Sequence, residues 1–196
     1  MTELDGRLAR GEASRAAMLA AAVHIVASQG IEALTHRAVA AVIGVPHARV
    51  VYHFPSAVDL RQATLLEAGH PVVDRLGALI GQATDPAQVP TVAGDLAAEM
   101  VTTLRDETAA LFALLSQATR DESLRGAVGQ VTASIADLIE PLSGSRALAA
   151  AAASALLGTL LVAMAEGQGV DADAIRVQTI ALVERFDPHG SARAGV

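Results

Sequence analysis

Three features of the sequence predict an all-α fold. Alanine supplies 43 of the 196 positions, and Ala and Leu favour helices. Aromatic residues, which favour strands, number only four: Tyr52, Phe54, Phe112 and Phe186. Apolar residues recur at helical spacing along most of the chain, with no alternating strand pattern and no repeat. At 52 % hydrophobic and 18 % charged, the chain has ample apolar surface for a core, and its length suits a small domain followed by a medium one.

The elements follow in order. Residues 1–13 are polar, with Gly6 and Gly11, and read as a flexible arm. Ser14 is a candidate N-cap for a first helix over 14–29, whose apolar face is Met18, Ala22, Ile25 and Val26 and which stops at Gly30. Thr35 is the next N-cap candidate, opening a short helix through Val42 that ends at Gly44. A third helix runs from Pro46, suited to a first turn, to Phe54. Ser56 then caps a long helix carrying Leu60, Leu65, Leu66, Val72, Leu76 and Ile80, which Pro71 should kink or divide. Beyond the loop at Asp85 to Pro90, helices are predicted over 91–104 and 107–118, and from Arg120 to about Glu140. Pro141 to Gly144 closes that one, 145–166 follows, a turn occupies 167–169, and the last helix covers 173–186.

The net charge of −7 argues against nucleic acid until it is placed on the chain. Residues 1–70 hold six Arg and six acids, with five of the six His, whereas 71–196 hold eight Arg and fifteen acids and so carry the whole imbalance. There is no Lys. The absence of Cys excludes a disulfide framework, a cysteine-based zinc site and a thiol nucleophile, and fits a reducing cytoplasm. No secretory signal is visible. Ala147 to Ala165 is long enough to span a bilayer, but its Ala-rich composition and lack of a basic face favour a helix buried at an interface, with no membrane partner.

Two short helices joined by a Gly turn and preceded by a longer one form a helix-turn-helix pattern, whose second helix enters the major groove. Gly44 supplies the positive φ of the turn, and Ala40 is small where the helices cross. From Ser14 to Leu60 the sequence resembles the DNA-binding domain of the tetracycline-repressor (TetR) family. The matching residues are Arg15, Met18-Leu19, Ala21-Ala22 and Gly30; Leu34-Thr35, Arg37, Val39-Ala40 and Gly44-Val45; and Tyr52-His53-Phe54, Ser56 and Leu60. The resemblance implies an N-terminal helix-turn-helix domain over 1–56, and a helical ligand-binding and dimerisation domain over 57–196. It implies a ligand-responsive repressor that binds a palindromic operator in double-stranded DNA as a homodimer.

The resemblance places Arg15, Thr35, His36, Arg37, Pro46, His47, Ala48, Arg49, Tyr52 and His53 at the DNA. Arg15, Thr35 and His53 fall at phosphates, and Arg49 would read guanine bidentately, worth about 1–3 kcal/mol against a wrong base. Two positions depart from the family pattern. Val50-Val51 stands where Leu-Tyr is usual, and Ala57 replaces a phosphate-clamping lysine. Each lost cation flattens the salt slope by about one unit. Arg7, Arg10 and Arg61 are candidates to compensate. These departures keep a second reading open: a TetR-like sensor or partner-binding protein with weakened or lost DNA binding.

For the second region the resemblance implies a pocket and a four-helix dimer interface. Candidate pocket residues are Glu67, His70, Met100, Thr103, Phe112, Ser116 and Gln117, for an apolar or mildly polar small molecule, since no basic cluster is visible. Candidate interface residues are Ala153, Leu156, Leu157, Leu160, Leu161, Met164, Val177 and Ile180. A dimer would set two recognition helices about 34–36 Å apart, matching successive major grooves. An enzyme is not expected. Asp106-Glu107 and Asp121-Glu122 sit at helix starts where they complement the dipole, Ser143-Gly144-Ser145 is a turn, and there is no phosphate loop, cofactor motif or set of metal ligands.

Overall fold

The computed structural model describes residues 3–83, 85–166 and 169–185, and within them the chain forms nine α-helices and no strand. They are α1 (Glu3–Gln29), α2 (His36–Ile43), α3 (His47–His53), α4 (Ala57–Gln82), α5 (Val89–Met100), α6 (Arg105–Ala118), α7 (Arg125–Ser143), α8 (Arg146–Ala165) and α9 (Ala172–Glu184). Residues 167–168 of the expected turn, and those after Arg185, lie outside the described residues.

The helix boundaries correct the sequence reading at several points, each for a local reason. The expected arm is helical: α1 starts at Glu3 and runs through Ser14 without a break. Two glycines cost about 1 kcal/mol each in a helix, which does not outweigh a stretch rich in Ala, Leu, Arg and Glu. The helix expected over 91–104 ends at Met100. The Thr102 hydroxyl donates to the Ala98 carbonyl at 2.7 Å, so β-branched threonines at 102 and 103 compete with the helix ladder there. Asp121 caps a 3-10 turn at Glu122–Leu124, taking the Ser123 amide at 3.0 Å, and this delays α7 to Arg125. α4 continues as helix through Pro71, and α7 through Pro141 to the left-handed Gly144.

The chain divides into two compact units. The first runs to Gly69 and includes Asp106–Val128; the second is His70–Arg105 with the chain from Gly129 onward. The boundary expected at residue 56 lies inside the first unit. There Leu60, Thr64, Leu65 and Ala68 of α4 are fully buried. The start of α4 is also tied to the 3-10 turn by Arg61, 3.3 Å from Asp121, and by Gln62, whose amide donates to the Ser123 carbonyl at 2.5 Å.

In the second unit α5 packs closely on α9. Gly94 permits the approach, because a Cβ there would lie 2.7 Å from Ile180 Cγ1 and 3.0 Å from the Arg176 carbonyl oxygen. Beside it Arg176 Nε donates to Asp95 at 2.5 Å. Arg75 binds Glu99 through two hydrogen bonds of 2.5 and 2.6 Å, and Arg146 bridges Asp137 and Glu140.

Candidate nucleic-acid interface

The helix-turn-helix is built on a small core in which Met18, Leu19, Val39, Val50 and Phe54 are each at most 2 % exposed. α2 is started by Thr35, whose hydroxyl accepts from the Ala38 amide at 3.1 Å. It ends at Gly44, with φ 67° and ψ 38°, a left-handed conformation that disfavours any residue with a Cβ. The Val45 amide then closes on the Ala40 carbonyl at 3.0 Å. Pro46 sits one position earlier than expected, as the residue before α3, and its carbonyl accepts from the Arg49 amide at 2.9 Å.

This frame leaves the polar side chains outside. Arg15, Thr35, Arg37, Pro46, His47, Ala48 and Arg49 are exposed, and Tyr52 is 82 % exposed. Arg15 lies over the Phe54 ring at 5.3 Å, a cation–π contact that steers its guanidinium to the mouth of the motif. His53 is half-buried, with its ring between those of Tyr52 and Phe54. His36 is also half-buried. Its Nε2–H donates to the Phe54 carbonyl at 2.7 Å, so it joins the start of α2 to the end of α3, and that nitrogen is not free for a phosphate or base.

Two of the departures now have structural meanings. Val50 is in the core, where an aliphatic chain suffices, and Tyr52 carries the exposed phenol. Ala57 opens α4 behind a reciprocal cap: the Asp59 amide donates to Ser56 Oγ at 3.1 Å, and the Ser56 amide donates to Asp59 at 2.9 Å. The first turn of α4 therefore presents a carboxylate and no cation. Arg61 does not replace the missing lysine, since Asp121 holds it inward and it is only 27 % exposed. The side chains of Arg7 and Arg10 lie outside the described residues. Asp121 is drawn below the usual carboxylate range, chiefly by the Ser123 hydroxyl that donates to it and further by Arg61.

The second unit holds a partly open apolar cavity of about 80 Å³, lined by sixteen residues that are all Val, Leu, Ile, Ala or Met. Of the expected pocket residues, Met100 lines it. Thr103 is exposed, with its hydroxyl on the Glu99 carbonyl, and His70 is exposed. Glu67, Phe112, Ser116 and Gln117 belong to the first unit. The lining side chains of α8 and α9 were missed as pocket residues because these two helices were read as an outward interface.

That reading of α8 needs correction. Leu160 is fully buried within its own unit, whereas Ala153, Leu156 and Leu157, which line the cavity, and Ile180, which packs on Gly94, are half-buried. Met164 is half-buried. Leu161 and Val177 do face out, 50 % and 64 % exposed, joined by Val162, which sequence reasoning passed over. The outward stripe is Ser154, Gly158, Leu161, Val162 and Ala165, at helical spacing. An α8 that is apolar all round gives hydropathy no means of telling its two faces apart.

Comparison with solved structures places this architecture. A member of the TetR family from Streptomyces coelicolor A3 superposes with a TM-score of 0.75 at 25 % identity, over 89 % of this chain and 98 % of that one. The multidrug binding protein EbrR, complexed with imidazole, gives 0.72 at 25 % identity, over 88 % and 93 %. SCO7518 from Streptomyces coelicolor A3(2), described as a transcriptional regulator, gives 0.76 at 20 % identity, over 89 % and 98 %. No family model and no curated protein sequence matches the chain. The chain has the fold of the TetR family of transcriptional regulators.

Proposed function

We propose that this protein is a ligand-responsive transcriptional regulator that binds a palindromic operator as a homodimer in the cytoplasm and represses transcription there. The observation that carries the reading is the helix-turn-helix itself. Arg37, His47, Arg49 and Tyr52 stand exposed over a core that uses none of them, and Thr35, Gly44 and Pro46 fix the two helices below them. Arg49 fits bidentate reading of guanine, and Tyr52 supplies a hydroxyl for a phosphate and a ring for a thymine methyl.

The dimer rests on α8. Its most apolar 18-residue window has a mean hydropathy of 2.1, yet only 11 % of that window is buried within the chain, and Val177 of α9 is exposed as well. A second copy related by a two-fold axis covers the outward stripe with its own. An effector acts by population shift: it favours the state whose half-site spacing does not fit DNA, and lowers operator affinity by its differential affinity for that state.

The test is a gel shift with DNA from upstream of the protein's own gene. Binding at nanomolar to low micromolar concentration is expected, with Arg49→Ala erasing the preference for that sequence over unrelated DNA. Failure to shift any upstream fragment at low salt sinks the DNA-binding reading. It would favour the competing one, a sensor without DNA binding, which draws on Ala57 and the inward turn of Arg61.

A further inference from the structure

We infer that the second unit takes an uncharged, aliphatic small molecule and refuses cationic ones. The inference deepens the ligand-responsive reading and rests on it for its regulatory consequence. The observation is the lining of the cavity. Sixteen side chains from five helices surround it, and none offers a carboxylate, hydroxyl, amide or aromatic ring.

A cation entering such a space would lose its hydration and meet no compensating charge or π-face, at a desolvation cost that excludes it. The nearest charges in sequence do not relieve this. Arg75, next to the lining residue Leu76, is bound by both oxygens of Glu99, itself next to Met100. Asp95, next to Leu96, is bound by Arg176. An anion is disfavoured on the same grounds, because both guanidiniums are occupied.

A neutral aliphatic chain carries no charge to desolvate on entry and gains contact with Leu, Ile and Val side chains. A dry apolar cavity of about 150 Å³ holds one benzene. At about 80 Å³ this one accepts the end of a narrow chain as it stands. Met100 and the lining leucines give a longer chain room by changing rotamer, Met at the least cost. EbrR, which shares the fold, is known in complexes with ethidium, proflavin and malachite green. The cavity here is built for a different chemistry.

The full-length protein, labelled with ¹³C at its methionine methyls, is titrated with 1-octanol and separately with choline and ethidium, without DNA. Met100 lines the cavity and Met18 lies in the core of the first unit, so the two signals separate local binding from a general solvent effect. Saturable movement of Met100 with 1-octanol, and none with either cation at equal concentration, is expected. Ala153→Leu fills the cavity and should weaken 1-octanol at least tenfold. Leu156→Ala enlarges it and should shift preference from 1-hexanol toward 1-decanol, which keeps the test open if the first variant folds poorly. Movement of Met100 with a cation, or octanol binding indifferent to both variants, overturns the inference. Octanol that binds at Met100 but leaves an operator complex intact leaves the ligand class standing and overturns the ligand-responsive reading.

Discussion

Replacing Ala57 with lysine tests the electrostatics of the DNA face quantitatively. Arg15, Arg37 and Arg49 are exposed there and meet no carboxylate among the described residues, while Arg61 is engaged by Asp121. With Arg49 on a base edge, Arg15 and Arg37 leave two phosphate-neutralising cations per half-site and four per dimer. At about 0.9 unit of slope per neutralised phosphate, log K falls against log salt with a slope of about −3.6, or roughly 10²-fold between 50 and 200 mM. Ala57→Lys adds one cation per half-site at the first turn of α4 and should steepen the slope by about 2 units. Arg37→Ala should flatten it by the same amount. Fluorescence anisotropy with labelled operator reads both. A wild-type slope steeper than about −5, or one that Ala57→Lys leaves unchanged, refutes the account of which side chains meet the backbone.

Three further predictions follow from packing and charge. Gly94→Ala drives a methyl against Ile180 and the Arg176 carbonyl; overpacking of about 1–3 kcal/mol exceeds the helix propensity gained, so thermal unfolding should occur a few degrees lower. Leu161→Glu with Val177→Glu places charges on the outward stripe, and sedimentation should show monomers with little loss of helicity by circular dichroism. Asp121, held below its ordinary range, stabilises the first unit above the unfolded carboxylate's pKa near 4, and this contribution disappears as pH falls through the lower folded value. Ser123→Ala removes the largest cause of that depression, so carboxyl NMR should show Asp121 titrating at higher pH, and the acid loss of stability should become smaller and end at higher pH.

The DNA-facing half was legible because its signals are local. A threonine cap, a glycine that must adopt positive φ and a proline at the next helix each act within a few residues; the first two fall where the sequence places them and the proline one position before α3. His36 was legible as a position but not as a tie, because its partner, the Phe54 carbonyl, is eighteen residues away. The second half was harder to read. α8 is apolar on every face, so Leu160, buried, and Leu161, exposed, are indistinguishable by composition. The cavity draws on five helices, and neither spacing nor caps indicates which faces converge. Arg61 looked free until Asp121, sixty residues on, came beside it.

The most direct test of the central claim is a hydroxyl-radical footprint of the protein on its upstream DNA. Two protected segments related by a dyad, with centres about 10 base pairs or a whole number of turns apart, are the result expected of two recognition helices in successive major grooves. A single unpaired protected segment, or protection that ignores sequence and survives Arg49→Ala, would contradict it.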